Sequence, residues 1–293
     1  MKQLKGSITA LITPFRDGSV DVTAFQDLVE WQIESGTHGL VPVGTTGESA
    51  TLCDEEHERV VALCVEAAKG RVPVIGGAGS NDTAYGVSMG RRIEKLGVDA
   101  ILAVTGYYNR PSQAGMIAHY AAIHDATTKP IVVYNIPART TVDISIETLA
   151  RLSEMYRIVG VKDATGDLGR VPLQTRQCGP DFIQLSGEDM TAVGFNAMGG
   201  VGCISVTSNV APALCAQMQE ASLAGDYATA RRLQDRLAPL HQALFSDSSP
   251  GPTKYALSLM GKCSADVRLP IVAPSDAAKA KVRAALEELD LIG

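Results

Sequence analysis

Eight short apolar runs, rich in residues that favour extended backbone, recur along this chain of 293 residues, and a longer amphipathic stretch follows each. The runs span residues 7–12, 39–43, 72–76, 100–104, 131–135, 158–162, 182–186 and 202–206. Helical spacing fills 22–35, 54–69, 83–96, 113–127, 145–153, 169–177, 190–198 and 212–221. Near-continuous apolar runs suit strands covered on both faces, and parallel neighbours need a crossover between them. An open doubly wound sheet and a closed barrel both meet these terms. No Gly-x-Gly-x-x-Gly opens a helix after the first run, and eight repeats is the number that closes a ring. The expected fold is therefore α/β, a (β/α)8 TIM barrel over residues 1–224. After that the strands stop. Residues 226–245, 253–260 and 275–289 carry helical spacing, with breaks at 246–252 and at Arg268-Leu269-Pro270, so 225–293 reads as a C-terminal helical appendage. Two helix starts look capped, one by Asp54 ahead of Glu56 and His57, the other by Asp143 and Ser145 ahead of Ile146.

Composition removes several function classes. The apolar share of 45% supports a large core, and a net charge of −6 without a basic run argues against nucleic acid as the main partner. The six cysteines, Cys53, Cys64, Cys178, Cys203, Cys215 and Cys263, form no Cys-x-x-Cys, and no histidine spacing matches a zinc site. Reduced thiols in a cytoplasmic protein are the expectation. The start, Met1-Lys2-Gln3-Leu4-Lys5-Gly6, lacks the apolar centre of a signal peptide, and no apolar run approaches a membrane span. Neither a metal nor a cofactor is expected.

In a barrel of this kind the chemistry sits at the C-terminal ends of the strands. The second run leads into Gly44-Thr45-Thr46-Gly47-Glu48-Ser49, where glycines let amides approach a ligand and two hydroxyls stand ready for a small carboxylate; an ordinary turn reads the same way. The fourth leads into Tyr107-Tyr108-Asn109-Arg110-Pro111, whose tyrosines suit either catalysis or an interface. The fifth ends at Tyr134 and continues to Arg139, whose planar guanidinium suits a second carboxylate or a surface ion pair. The sixth ends at Lys162. That lysine either snorkels to water or, desolvated, offers a free amine as a nucleophile. Glu188 and Asp189, after the seventh run, read as helix-start charges. An amine, phenols and two carboxylate binders at one mouth suit Schiff-base chemistry on a 2-oxo acid. The imine withdraws electrons from the neighbouring carbon, which loses a proton and attacks an aldehyde.

The combination of Gly44-Thr45-Thr46-Gly47-Glu48, Tyr107-Tyr108-Asn109-Arg110-Pro111, Tyr134-Asn135-Ile136-Pro137-Ala138-Arg139-Thr140 and Gly160-Val161-Lys162-Asp163-Ala164-Thr165-Gly166 resembles the pyruvate-dependent class I aldolase family over nearly the whole chain. Pro14-Phe15, Ser186-Gly187, Ile204-Ser205-Val206 and Arg268-Leu269-Pro270 extend the match. The resemblance implies condensation of pyruvate with L-aspartate 4-semialdehyde to 4-hydroxy-tetrahydrodipicolinate, in L-lysine and diaminopimelate biosynthesis. It implies that Lys162 forms the imine and that Thr45 and Thr46 hold the pyruvate carboxylate. Thr45, Tyr134 and Tyr108 would then relay protons, Tyr108 from a neighbouring subunit. Arg139 would bind the semialdehyde carboxylate, and Gly187 and Ile204 would line the pocket. A homotetramer built as a dimer of dimers is implied as well.

Family members that cleave keto-deoxy sugar acids or N-acetylneuraminate share the lysine and the Gly-Thr loop, but their second substrate is a polyol; the arginine here favours an acidic aldehyde. A non-catalytic metabolite-binding relative would have no need of Lys162, Tyr134, Tyr108 and Thr45 together. The family's inhibitory lysine site maps onto Ser49, Ala50, His57, Asn81 and Tyr107. Asp54 and Tyr85 stand where sensitive members often carry histidine and glutamate, and a phenol in place of that carboxylate removes a charge-assisted contact. Weak or absent inhibition by L-lysine is the expectation.

Overall fold

A computed structural model describes residues 3–293; Met1 and Lys2 of the N-terminal run lie outside the described residues. All eight apolar runs form strands: β1 (Gly6–Ala10), β2 (Gly39–Val41), β3 (Ile75–Gly77), β4 (Ala100–Val104), β5 (Ile131–Asn135), β6 (Ile158–Asp163), β7 (Ile183–Ser186) and β8 (Gly202–Ser205). They hydrogen-bond in the order β2-β1-β8-β7-β6-β5-β4-β3, all parallel, and a parallel bridge from Leu40 to Val74 joins the two ends into a ring. The expected (β/α)8 barrel is the fold.

Helices follow as α1 (Val22–Glu34), α2 (Asp54–Ala68), α3 (Thr83–Glu94), α4 (Gln113–Ala126), α5 (Ile146–Ser153), α6 (Arg170–Cys178), α7 (Ala192–Ala197) and α8 (Pro212–Leu223). Of the two cap expectations, that for Asp54 needs correcting and that for Ser145 holds, without Asp143. Cys53, not Asp54, precedes the first turn of α2, and Asp54 lies inside that turn, where its charge still favours the helix N-terminus. Ser145 caps α5 by accepting from the Thr148 amide, while Asp143 is committed elsewhere. A small hairpin, Phe15–Arg16 with Ser19–Val20, escaped the sequence reading because two residues per strand carry no periodicity.

Strand alternation sorts the side chains into layers. Ile8, Val41, Ile75, Leu102, Val132, Tyr134, Leu185 and Ile204 fill the barrel interior. The intervening residues pack outward against helices. After the barrel come α9 (Tyr227–Leu244), α10 (Gly251–Leu259) and α11 (Asp276–Glu288). Their Leu237, Leu240, Leu257, Val282 and Leu286 share one buried cluster with Phe15, Phe25 and Val60, so these helices complete the barrel's outer core.

All six cysteines are free thiols, with Cys64, Cys203 and Cys215 buried. Among the described residues no helix is long and apolar enough to cross a membrane.

Candidate active site

The sixth strand fixes where Lys162 points. Val161 packs outward, so alternation turns Lys162 inward, and its registered neighbours Tyr134 on β5 and Leu185 on β7 belong to the interior layer. Lys162 is only 6% exposed, which removes the snorkelling alternative. Among the described residues it pairs with no carboxylate; its Nζ instead lies 4.1 Å from the centroid of the Tyr134 ring. A ring face engages the lysine without the salt bridge that would tie up its nitrogen. The phenol and the amine therefore meet at adjacent strand ends, as imine chemistry with proton transfer requires.

The opposite face of the same strands holds them in place. Asn135 and Asp163, in register beside Tyr134 and Lys162, point outward. Asp163 is buried and accepts from the Thr165 amide (3.0 Å) and hydroxyl (2.6 Å), Arg170 Nε (3.0 Å) and Gln174 Nε2 (2.6 Å). Asn135 donates to Asp143 at 2.7 Å, and Arg170 reaches Asp143 at 3.0 Å and the Ile144 carbonyl at 2.7 Å. This network ties β5 to β6 behind Tyr134 and Lys162. The sequence reading took Asp143 only as a helix cap and passed over Arg170, because the contact between the two joins residues 27 apart.

Gly187 follows β7. A β-carbon there would stand 3.1 Å from Lys162 Cε and 2.7 Å from Ala164 Cβ, so glycine leaves room for the lysine side chain. Ile204 is buried in the interior layer.

The loop after β2 is tightly wound. Val43 and Glu48 adopt φ of 51° and 55°, a left-handed conformation costly for a β-branched residue. Gly47 sits where a β-carbon would meet the Val43 backbone at 3.0 Å. Thr46 is buried and Thr45 exposed. Thr45 lines a cavity of about 480 Å³ together with Arg139, and Ser49, Ala50, His57 and Tyr107 line the same space. Lys162, Tyr134, Thr46, Gly187 and Ile204 are not part of that lining, nor is Asn81, whose carbonyl accepts from Asn109 at 2.8 Å.

Arg139 rides on a single helical turn, Pro137–Thr140, and proline at the first position starts that turn. It is exposed and, among the described residues, pairs with no carboxylate, so the surface ion-pair alternative has no partner. Tyr108 is 88% exposed with φ of 67°, a strained backbone that holds an aromatic ring out in solvent.

Glu188 accepts from the Met190 amide, the helix-start role expected of it. Asp189 does more. Buried, it accepts from the Ser205 hydroxyl and from the Val206 and Thr207 amides, which ties the end of β8 to the preceding loop. Next to the cavity, Tyr85 donates to Asp54 at 2.6 Å, and Arg92 pairs with both Asp54 and Glu58. Among the described residues no cluster of three or more His, Cys, Asp or Glu is arranged to hold a metal ion.

Fold and site together define a class: a (β/α)8 barrel whose interior holds a buried primary amine against a phenol at adjacent strand ends. The dihydrodipicolinate synthetase family model matches residues 3–289. The chain belongs to that family. It is 61% identical over 288 residues to the 4-hydroxy-tetrahydrodipicolinate synthase of Parvibaculum lavamentivorans, covering 98% of this chain and 99% of that one. The corresponding synthase of Rhodospirillum centenum is 62% identical over 289 residues, covering 98% and 99%. Among solved structures, the chloride-inhibited dihydrodipicolinate synthase from Acinetobacter baumannii complexed with pyruvate superposes with a TM-score of 0.97 at 40% identity, covering 99% of this chain and 100% of that one. The enzyme from Cyanidioschyzon merolae with lysine bound superposes at 0.95 with 35% identity, covering 98% and 99%.

Proposed function

We propose that this enzyme condenses pyruvate with L-aspartate 4-semialdehyde to give 4-hydroxy-tetrahydrodipicolinate and water, on the route to L-lysine and diaminopimelate. The observation that carries the reading is Lys162, buried and stacked on Tyr134 at the mouth end of β5 and β6. The names of the full-length relatives support the same reaction, and none of those reported above is a sugar-acid lyase.

The Lys162 amine attacks the pyruvate carbonyl carbon, and the carbinolamine loses water to form an imine. Tyr134 supplies the proton that the departing hydroxyl needs. The protonated imine draws electrons from the methyl carbon, which loses a proton and becomes an enamine. The enamine carbon attacks the aldehyde carbon of the second substrate and forms the new C–C bond. The substrate's own amine then displaces Lys162 from the imine, closes the ring and frees the lysine. Thr45 and Thr46 hold the pyruvate carboxylate, and Arg139 holds that of the semialdehyde.

Tyr108 completes the proton relay of a neighbouring subunit in a homotetramer, a role supported by its exposure and its strained backbone. Ser49, Ala50, His57, Asn81 and Tyr107 form a lysine site of reduced strength, because Tyr85 and Arg92 already engage Asp54 beside it. The catalytic unit is residues 1–224, with 225–293 as its helical extension, and the enzyme works in the cytoplasm.

Reduction with borohydride in the presence of pyruvate, followed by peptide mass mapping, tests the mechanism. Pyruvate is expected on Lys162 in the native protein and on no peptide of Lys162→Ala. Attachment elsewhere, or none in the native protein, overturns it.

A further inference from the structure

Among the described residues Lys254 is the second buried lysine, and the proposed reaction does not use it. It sits on α10, at 0% exposure, and its ammonium is ion-paired with Glu48. Nζ also donates to the Asp266 carbonyl at 2.8 Å and lies 3.9 Å from the centroid of the Phe15 ring. Glu48 is itself buried, and its other carboxylate oxygen accepts from the Arg268 amide at 3.0 Å. The Arg268 side chain continues the contact. It donates to the Thr51 carbonyl (2.9 Å), the Gly18 carbonyl (2.7 Å) and both oxygens of Glu56 (2.6 Å each), and it stacks on Phe15 at 4.2 Å.

Glu48 ends the strained loop that carries Thr45 and Thr46, and its amide donates back to the Thr45 carbonyl at 3.1 Å. A left-handed non-glycine residue persists only where its surroundings hold it. The surroundings here come from the far end of the chain: α10 and the segment at Arg268. A buried ion pair adds little net stability over an apolar pair of the same shape, but removing one partner strands a charge in a dry interior. Such a pair fixes geometry more than it adds stability.

We infer that Glu48 and Lys254 are positioning residues: the buried pair, flanked by Arg268, locks the C-terminal helices onto the loop that binds the pyruvate carboxylate and so sets the enzyme's affinity for pyruvate. This rests on the proposed role of Thr45 and Thr46.

The test uses the full-length protein with Glu48→Gln, Lys254→Met, the double variant and Arg268→Ala. For each, the pyruvate concentration that half-saturates borohydride trapping at Lys162 is measured, with Michaelis constants for both substrates. Each single change at the pair is expected to raise the pyruvate requirement on the order of 10- to 100-fold, the scale of a loop misplaced by an ångström. The Michaelis constant for the aldehyde stays within about twofold. The double variant, with no stranded charge, recovers most of the loss, the non-additivity expected of a coupled pair. Arg268→Ala leaves the buried pair intact, so it reports even if the single variants at the pair do not fold; a severalfold rise is expected. Unchanged pyruvate saturation in the folded variants overturns the inference. So do equal losses for both substrates, or a double variant as impaired as the two singles combined. If the native protein itself traps no pyruvate, the proposed mechanism fails first; trapping without a shift in the variants sinks this inference alone.

Discussion

Arg139 is an exposed guanidinium on a single helical turn, facing the same cavity as Thr45. It contributes nothing visible to folding, so its removal isolates a binding role. A charge-assisted pair to a carboxylate contributes about 1.5–3 kcal/mol. Arg139→Ala is therefore expected to raise the Michaelis constant for the semialdehyde about ten- to a hundredfold, with pyruvate trapping at Lys162 unchanged. Steady-state kinetics with each substrate varied decides it, and an unchanged aldehyde constant removes the assignment. Tyr85 and Asp54 make a second residue-scale case. A carboxylate that already accepts from a phenol and pairs with Arg92 has little left for an incoming ammonium. L-Lysine is expected to inhibit with a constant no tighter than about 1 mM; tighter inhibition in an initial-rate assay contradicts this.

Tyr134 and Lys162 stand at strand ends, where the ladder on both sides fixes the direction of a side chain. The β5–β6 pair shows how: Tyr134 and Lys162 face in, while Asn135 and Asp163 on the reverse face are fixed by Asp143, Arg170 and Gln174. Gly187, after β7, closes the third side. Gly187→Ala would press a methyl against Lys162 Cε and Ala164 Cβ, contacts that force a shift costing about 1–3 kcal/mol. Trapping of pyruvate is expected to slow on the order of 10- to 100-fold while the far-ultraviolet circular dichroism stays native. Trapping at the native rate would mean the lysine has slack that the packing denies.

At the scale of the whole molecule, burial governs how stability depends on pH. His57, His119 and His241 are enclosed, and desolvation lowers each below the usual histidine value of 6.5. Below that value the unfolded chain binds protons that the folded one refuses, so this stability is complete above pH 6.5 and is lost as pH falls toward the folded values. Glu188 works in the opposite sense, since burial raises its carboxyl, but it is one group against three. The melting temperature is expected to be lower at pH 5.5 than at pH 7.5 at matched ionic strength, and a flat or inverted profile would count against this account. Tyr108 raises the question of assembly at the same scale. An exposed tyrosine in a left-handed backbone makes sense beside a neighbour, so sedimentation is expected to show more than one chain per particle, four under the proposed assembly; the mass of one chain would leave Tyr108 without a role.

Much of this molecule was legible one residue after another. The eight apolar runs became the eight strands because burial on both faces leaves a local mark that needs no knowledge of neighbours. Lys162, Tyr134, Thr45 and Arg139 could be proposed from the sequence because a barrel of this kind is expected to carry its chemistry at strand ends, which are themselves local features. What the chain could not disclose is contact between distant segments. The Glu48–Lys254 pair spans most of the sequence, and Arg170 meets Asp143 only after two strands have been laid side by side. Which lysine is buried and paired with a carboxylate, and which is buried against a phenol ring without one, was decided by tertiary structure alone, because burial is a property of the packed molecule.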